Sequence, residues 1–285
     1  MRKGIIERAL FWRLLLGTAI VVALAGLCWL DAGASIPGIW LLPVALVVTV
    51  LATHEVLDLL AASGIRPIPW VVHLINLLTV TEMAYGFHWP SWMLARFPLT
   101  VLVLFIAEMC RYRKPGGTAA NLAGSFFAWV YIGLLLSSAV HLRWTGGIRA
   151  LIAWIVVVKA GDTGAYTFGR LLGRHKMAPY ISPGKTVEGA IGGLICSCLG
   201  AGIVAAWPAQ LAVPAPRWGW IVFGLVVGAA GMVGDLAESL LKRDAGQKDS
   251  SRWLPGFGGV LDIIDSLLLS APVASFCWTI GLLGR

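Results

Sequence analysis

Apolar runs of membrane-spanning length, about nine of them, follow one another along the chain with only short polar turns between them. They fall near 14–30, 36–53, 70–85, 92–109, 120–140, 150–172, 189–207, 218–241 and 260–283. None alternates apolar with polar residues, so they read as helices rather than as strands of a lipid-facing barrel. A share of 58% hydrophobic against 13% charged residues, with a mean hydropathy of +0.83, excludes a water-soluble globule. The expected fold is an all-α polytopic membrane protein with about nine transmembrane helices. About four spans occupy 1–110, and 111–285 holds the rest together with the polar loops 173–188 and 242–258.

Three details of the first half follow from its residues. Ala32-Gly33-Ala34 is similar to a signal-peptide cleavage site, but the preceding run is longer than a signal core, which favours a retained anchor. The second run ends at His54-Glu55, and Glu55 to Ala62 reads as an amphipathic piece lying at the interface. The run at 70–85 is the weakest, interrupted by His73, Asn76 and Glu82.

The net charge of +8 is read as a topological bias, not as a nucleic-acid footprint. Placing the N-terminus in the cytoplasm puts 16 of the 22 Lys and Arg residues on that side, including those of both polar loops. Arg96, Arg143, Arg149, Arg217 and Arg285 fall outside, and Lys159 lies at membrane depth. The expected location is the bacterial inner (cytoplasmic) membrane, with an active site facing the cytoplasm and the C-terminus outside. The five cysteines lie in or at the ends of apolar runs and read as packing residues; Cys196 and Cys198, two apart, point to different helix faces. Gly189, Gly192 and Gly193, like Gly224, Gly228 and Gly231, are spaced to let helices approach closely; such faces also permit a homodimer.

Carboxylates at membrane depth are costly and mark function by default. Lys159 and Asp162, three apart, share a helix face and neutralise each other if the pair is structural. In Ser182-Pro183-Gly184-Lys185-Thr186-Val187-Glu188-Gly189 a turn precedes a helix start, where free amides attract anions. Lys185 and the hydroxyls of Ser182 and Thr186 can contact phosphate there; a plain capped helix with Glu188 in its first turn explains much of the same pattern. Asp235 with Glu238, and Asp262 with Asp265, put a carboxylate pair on each of two spans, an all-oxygen donor set suited to Mg²⁺. Between them stand Lys242, Arg243 and Lys248 for phosphate oxygens, and Gly256, Gly258 and Gly259 for close backbone approach. A membrane-depth metal beside a basic loop points to phosphoryl or nucleotidyl transfer on a lipid headgroup.

At these residues the chain resembles the CDP-diacylglycerol synthases, or phosphatidate cytidylyltransferases. It matches the family pattern at Ser239, Lys242, Arg243, Lys248, Asp249, Ser251, Pro255, Gly258, Gly259, Asp262 and Asp265. Asp162-Thr163-Gly164-Ala165-Tyr166 and the stretch 182–189 follow the family order as well. The resemblance covers about residues 150–270; over the first 110 it rests on topology alone. Phe257 stands where the pattern has His, and Ile263 where it has Arg.

The resemblance implies transfer of a cytidylyl group from CTP to phosphatidate, giving CDP-diacylglycerol and pyrophosphate, within phospholipid biosynthesis. It implies Mg²⁺ at Asp235, Asp262 and Asp265, and catalytic contacts from Lys242, Arg243, Lys248 and Asp249. Substrate binding would fall to Asp162, Ser182, Lys185, Thr186, Glu188, Ser239, Gly258 and Gly259. The partners expected are CTP, phosphatidate and the bilayer, with no nucleic acid. Rival readings are a CTP-dependent transferase or kinase acting on another lipid, of archaeol or polyprenol type, a secondary transporter, and an inactive homologue. No symmetry of paired broken helices favours the transporter.

Overall fold

The computed structural model describes residues 2–84, 90–207, 216–251, 253 and 258–284. Nine α-helices make up most of them: α1 (Arg2–Ala32), α2 (Leu42–Ala62), α3 (Pro69–Ala84), α4 (Pro90–Arg111), α5 (Thr118–Ala128), α6 (Leu135–Leu172), α7 (Val187–Ala205), α8 (Gly219–Asp244) and α9 (Leu261–Thr279). A π-helical stretch, Trp129–Leu134, joins α5 to α6. Between α6 and α7 the chain forms a short antiparallel hairpin of β1 (Lys176–Ala178) and β2 (Ser182–Thr186), pairing Lys176 with Thr186 and Ala178 with Ser182. The all-α expectation therefore needs one correction: the loop 173–188 contains a small sheet, too short to show any apolar alternation in the sequence.

Among the described residues six helical stretches are long and apolar enough to cross a membrane: 15–32, 42–62, 118–172, 187–205, 219–244 and 261–279. The stretch of 55 residues from 118 to 172 holds two of the expected runs. At 1.5 Å per residue it would extend about 80 Å, far more than the roughly 30 Å of hydrocarbon, and it is broken at Gly147 (φ 72°). With 16 residues, α3 is short for a crossing. The expected interfacial piece at 55–62 is instead the continuation of α2, because no proline or glycine interrupts the chain before Ser63-Gly64. There Gly64 takes φ 82°, Ile65 N donates to Leu60 O and Gly64 N to Ala61 O, a Schellman ending.

The chain divides into two compact units. The first comprises residues 1–134 and 245–263. Its apolar centre is Val71, Ile75, Leu104 and Trp129, with Phe126 and Leu134 packed around them. Two buried hydrogen bonds cross between its helices: Asn76 Nδ2 donates to Thr53 Oγ1 (2.8 Å), and Trp129 Nε1 to Thr79 Oγ1 (3.0 Å). Such bonds tie helices together where lipid offers no hydrophobic drive for their association.

The second unit comprises residues 135–244 and 264–285. Small residues form its seams, as the glycine spacing predicts. A Cβ on Gly189 would lie 2.7 Å from Ala165 O, one on Gly192 would strike the Phe168 ring, and one on Gly224 would lie 2.5 Å from Cys198 Cα. Cys196 Sγ faces Gly164 of α6 while Cys198 Sγ donates to Ile221 O of α8 (3.6 Å), so the two thiols point to different neighbours as expected. A Cβ on Gly234 would lie 2.5 Å from Asp265 O, which shows how closely α8 approaches α9 beside the polar cluster described next.

Candidate active site

In the second unit α6, α8 and α9 bring charged side chains together within an apolar bundle. Lys159 Nζ lies 3.0 Å from Asp162 Oδ2, the pair read from their spacing. Ser266 Oγ accepts from Lys159 Nζ (3.1 Å) and donates to Asp162 Oδ2 (2.9 Å), so α9 closes the pair into a triad. Asp265, half-buried, interacts electrostatically with Asp235, Lys159 and Asp162. From the hairpin, Lys185 Nζ reaches Asp235 Oδ2 at 2.8 Å. A pairing across 50 residues has no local spacing that announces it.

The same unit explains the 182–189 stretch. Thr186 is the N-cap of α7, with its Oγ1 accepting from Gly189 N (3.1 Å). Glu188 turns back over the hairpin: its carboxylate accepts from Arg174 N (3.0 Å) and contacts His175 Nδ1 (2.6 Å). Thr186 and Glu188 thus hold the hairpin onto the helix start, which leaves Lys185 as the member of this stretch that joins the acidic cluster. Ser182 is half-buried at the start of β2. On α8, Ser239 is buried and Lys242 pairs with the fully buried Glu238, while Arg243 is exposed and donates from Nε to Ile181 O (3.3 Å).

In the first unit the described residues between Lys248 and Asp262 form a polar arrangement. Lys248 and Asp249 are exposed. Gly258 takes φ +92°, where a Cβ would also lie 2.5 Å from Asp262 Oδ2. Asp262 Oδ2 accepts from Ser250 N (2.9 Å), Ser250 Oγ (2.7 Å) and Gly259 N (2.8 Å). The glycine pair is needed for two reasons: a left-handed backbone at Gly258, and clearance at Gly259, where a Cβ would strike Ser250 Oγ and Glu55. Pro255 and Phe257 lie outside the described residues. Ile263 is half-buried in the first turn of α9.

Glu55 was missed as a site residue. It is buried on α2, and its carboxylate takes four donors from the segment 250–261. The available signal was an acidic residue inside an unbroken apolar helix. Among the described residues no group of three or more His, Cys, Asp or Glu stands close enough to hold a metal unaided.

The chain is similar to known proteins over nearly its whole length. It is 32% identical over 275 residues to the phosphatidate cytidylyltransferase of Mycobacterium bovis, covering 91% of this chain and 87% of that one. It is 42% identical over 127 residues to the phosphatidate cytidylyltransferase of Staphylococcus saprophyticus, 45% of this chain and 48% of that one. Uncharacterized protein YnbB of Escherichia coli shares 31% over 232 residues, 79% of this chain and 74% of that one. A model of the cytidylyltransferase family matches residues 13–280, and the chain belongs to that family.

Proposed function

We propose that this membrane enzyme transfers the cytidylyl group of CTP to phosphatidate, releasing pyrophosphate and forming CDP-diacylglycerol. The observation that carries the reading is the meeting of Asp162, Asp235, Asp265, Lys159 and Lys185 inside an apolar helical unit. Four of these charges stand on apolar spans and Lys185 reaches them from the hairpin, too costly an arrangement to keep for packing alone.

A phosphomonoester is largely dianionic at pH 7, so its oxygen needs alignment more than a general base. That oxygen attacks the α-phosphorus of CTP, a new P–O bond forms, the bond between the α-phosphorus and the bridging oxygen breaks, and pyrophosphate leaves. Asp235 and Asp265 are hard oxygen donors and the ones that would hold Mg²⁺. The donor set fits that ion, which uses one or two carboxylates and completes its shell with water and substrate phosphates rather than with a closed protein cage. When bound, the ion would offset the charge developing on pyrophosphate. Lys185, on a hairpin held by Thr186 and Glu188, is placed to exchange Asp235 for a nucleotide phosphate. Arg243, in the last turn of α8, and Lys248, both exposed, are the cations assigned to phosphate oxygens. Asp262 keeps the metal role read from the motif. The reading also takes the N-terminus, the hairpin and the 242–258 loop to be cytoplasmic, with about nine crossings of the inner membrane.

Purified protein in detergent, given CTP labelled at the α position and phosphatidate, should place the label in lipid and release pyrophosphate only when both substrates and Mg²⁺ are present. Label entering lipid only from the γ position would replace the transferase with a kinase. A second lipid acceptor remains in view because Phe257 and Ile263 depart from the family pattern; turnover with a different phospholipid and none with phosphatidate would select it.

A further inference from the structure

Glu55 is 1% exposed, and a carboxylate buried that deeply must have its charge satisfied by neighbours. Among the described residues its donors are neutral and come from one segment. Val260 N (2.8 Å) and Trp253 Nε1 (3.0 Å) bond Oε1, while Leu261 N (2.8 Å) and Ser250 Oγ (2.8 Å) bond Oε2. Two of these donors are the amides that open α9, which lack partners within the helix. A helix start is ordinarily capped by its own Ser, Thr, Asp or Asn. Here Gly259 and Val260 supply no such side chain, and α2 provides the acceptor instead.

The link continues to Asp262. Ser250 Oγ stands between Glu55 Oε2 (2.8 Å) and Asp262 Oδ2 (2.7 Å), and its single proton serves one of them at a time. Gly259 is bounded on one side by Glu55 and donates from N to Asp262. A shift of Glu55 therefore moves the turn, Ser250 and the Asp262 carboxylate together.

We propose that Glu55 is a positioning residue for cytidylyl transfer: from α2 it fixes the 258–261 turn, and through Ser250 and the start of α9 it sets the orientation of Asp262. The inference rests on the reaction proposed above. Glu55→Gln conserves size but turns an amino group toward groups that are themselves donors. Wild-type, Glu55→Gln and Glu55→Asp proteins, full-length in detergent, are compared by pyrophosphate release, thermal unfolding and hydrogen exchange of peptides covering 258–263.

For Glu55→Gln the expected result is a kcat about 10- to 100-fold lower, as misplacement near 1 Å produces. The KM for CTP stays within about threefold and exchange at 258–263 quickens, while Glu55→Asp, still an acceptor, recovers part of kcat. Unchanged kcat, or a loss that matches the unfolded fraction with exchange at 258–263 unaltered, overturns the inference. If Glu55→Gln does not fold, Trp253→Phe removes one donor at an exposed side chain. It should lower kcat in the same direction and quicken exchange; wild-type values of both overturn the inference. Wild-type protein without CTP- and phosphatidate-dependent turnover would sink the proposed reaction instead. Exchange at 258–263 then decides the positioning role alone, faster exchange in Glu55→Gln supporting it and equal exchange overturning it.

Discussion

Asp235 is the residue on which the proposed chemistry depends most directly, because Lys185 from the hairpin and Asp265 from α9 both meet it. Asp235→Asn keeps the shape but removes the charge. It should lower turnover by on the order of 100-fold or more while the protein remains in the membrane fraction, as measured by pyrophosphate release. Asp262→Asn should likewise abolish nucleotide transfer with normal insertion; wild-type turnover would remove Asp262 from the metal role. Gly258→Ala tests the backbone rather than a charge. A residue with a Cβ at φ +92° is strained by about 1–2 kcal/mol and would also press on Asp262, so its loss of activity should exceed its loss of thermal stability.

At the scale of elements, what could be read from the sequence was whatever repeats over one helical turn. The Lys159–Asp162 pair, the capped start of α7 with Glu188 in its first turn and the glycine seams of α7 and α8 all lie within four residues of their signal. Lys185 with Asp235 and Glu55 with Ser250 do not, because a contact formed by tertiary packing leaves no period in the chain. The hairpin escaped for a related reason: β1 has three residues, fewer than a pattern of alternation needs. Its attachment can be tested through its cap. Thr186→Ala should destabilise α7 by about 1 kcal/mol and be seen as a lower Tm. Glu188→Gln, which weakens the hold on Arg174 N and His175, should speed proteolysis at Tyr180, 95% exposed at the hairpin tip. On the seam between α6 and α7, Gly192→Leu would force Phe168 aside and should reduce the yield of folded protein.

For the molecule as a whole, the bias of its cations makes a prediction about orientation. A periplasm-dependent reporter fused after Arg285 should be active and a cytoplasm-dependent one inactive; the reverse result would invert or recount the crossings. Treatment with a chelator should stop turnover, and added Mg²⁺ should restore it.

Glu55 finally bears on how such a chain is made. Its partners lie between 195 and 206 residues downstream. At about 5–20 residues per second, synthesis leaves roughly 10–40 s in which α2 has been produced and those donors have not. Throughout that interval the helix carries a carboxylate with no native acceptor role to fill, and insertion must keep it within reach of water or of a passing partner. A chain cut short before residue 250 would never settle it. An unanswered charge in the second helix would thus distinguish an unfinished copy from a finished one.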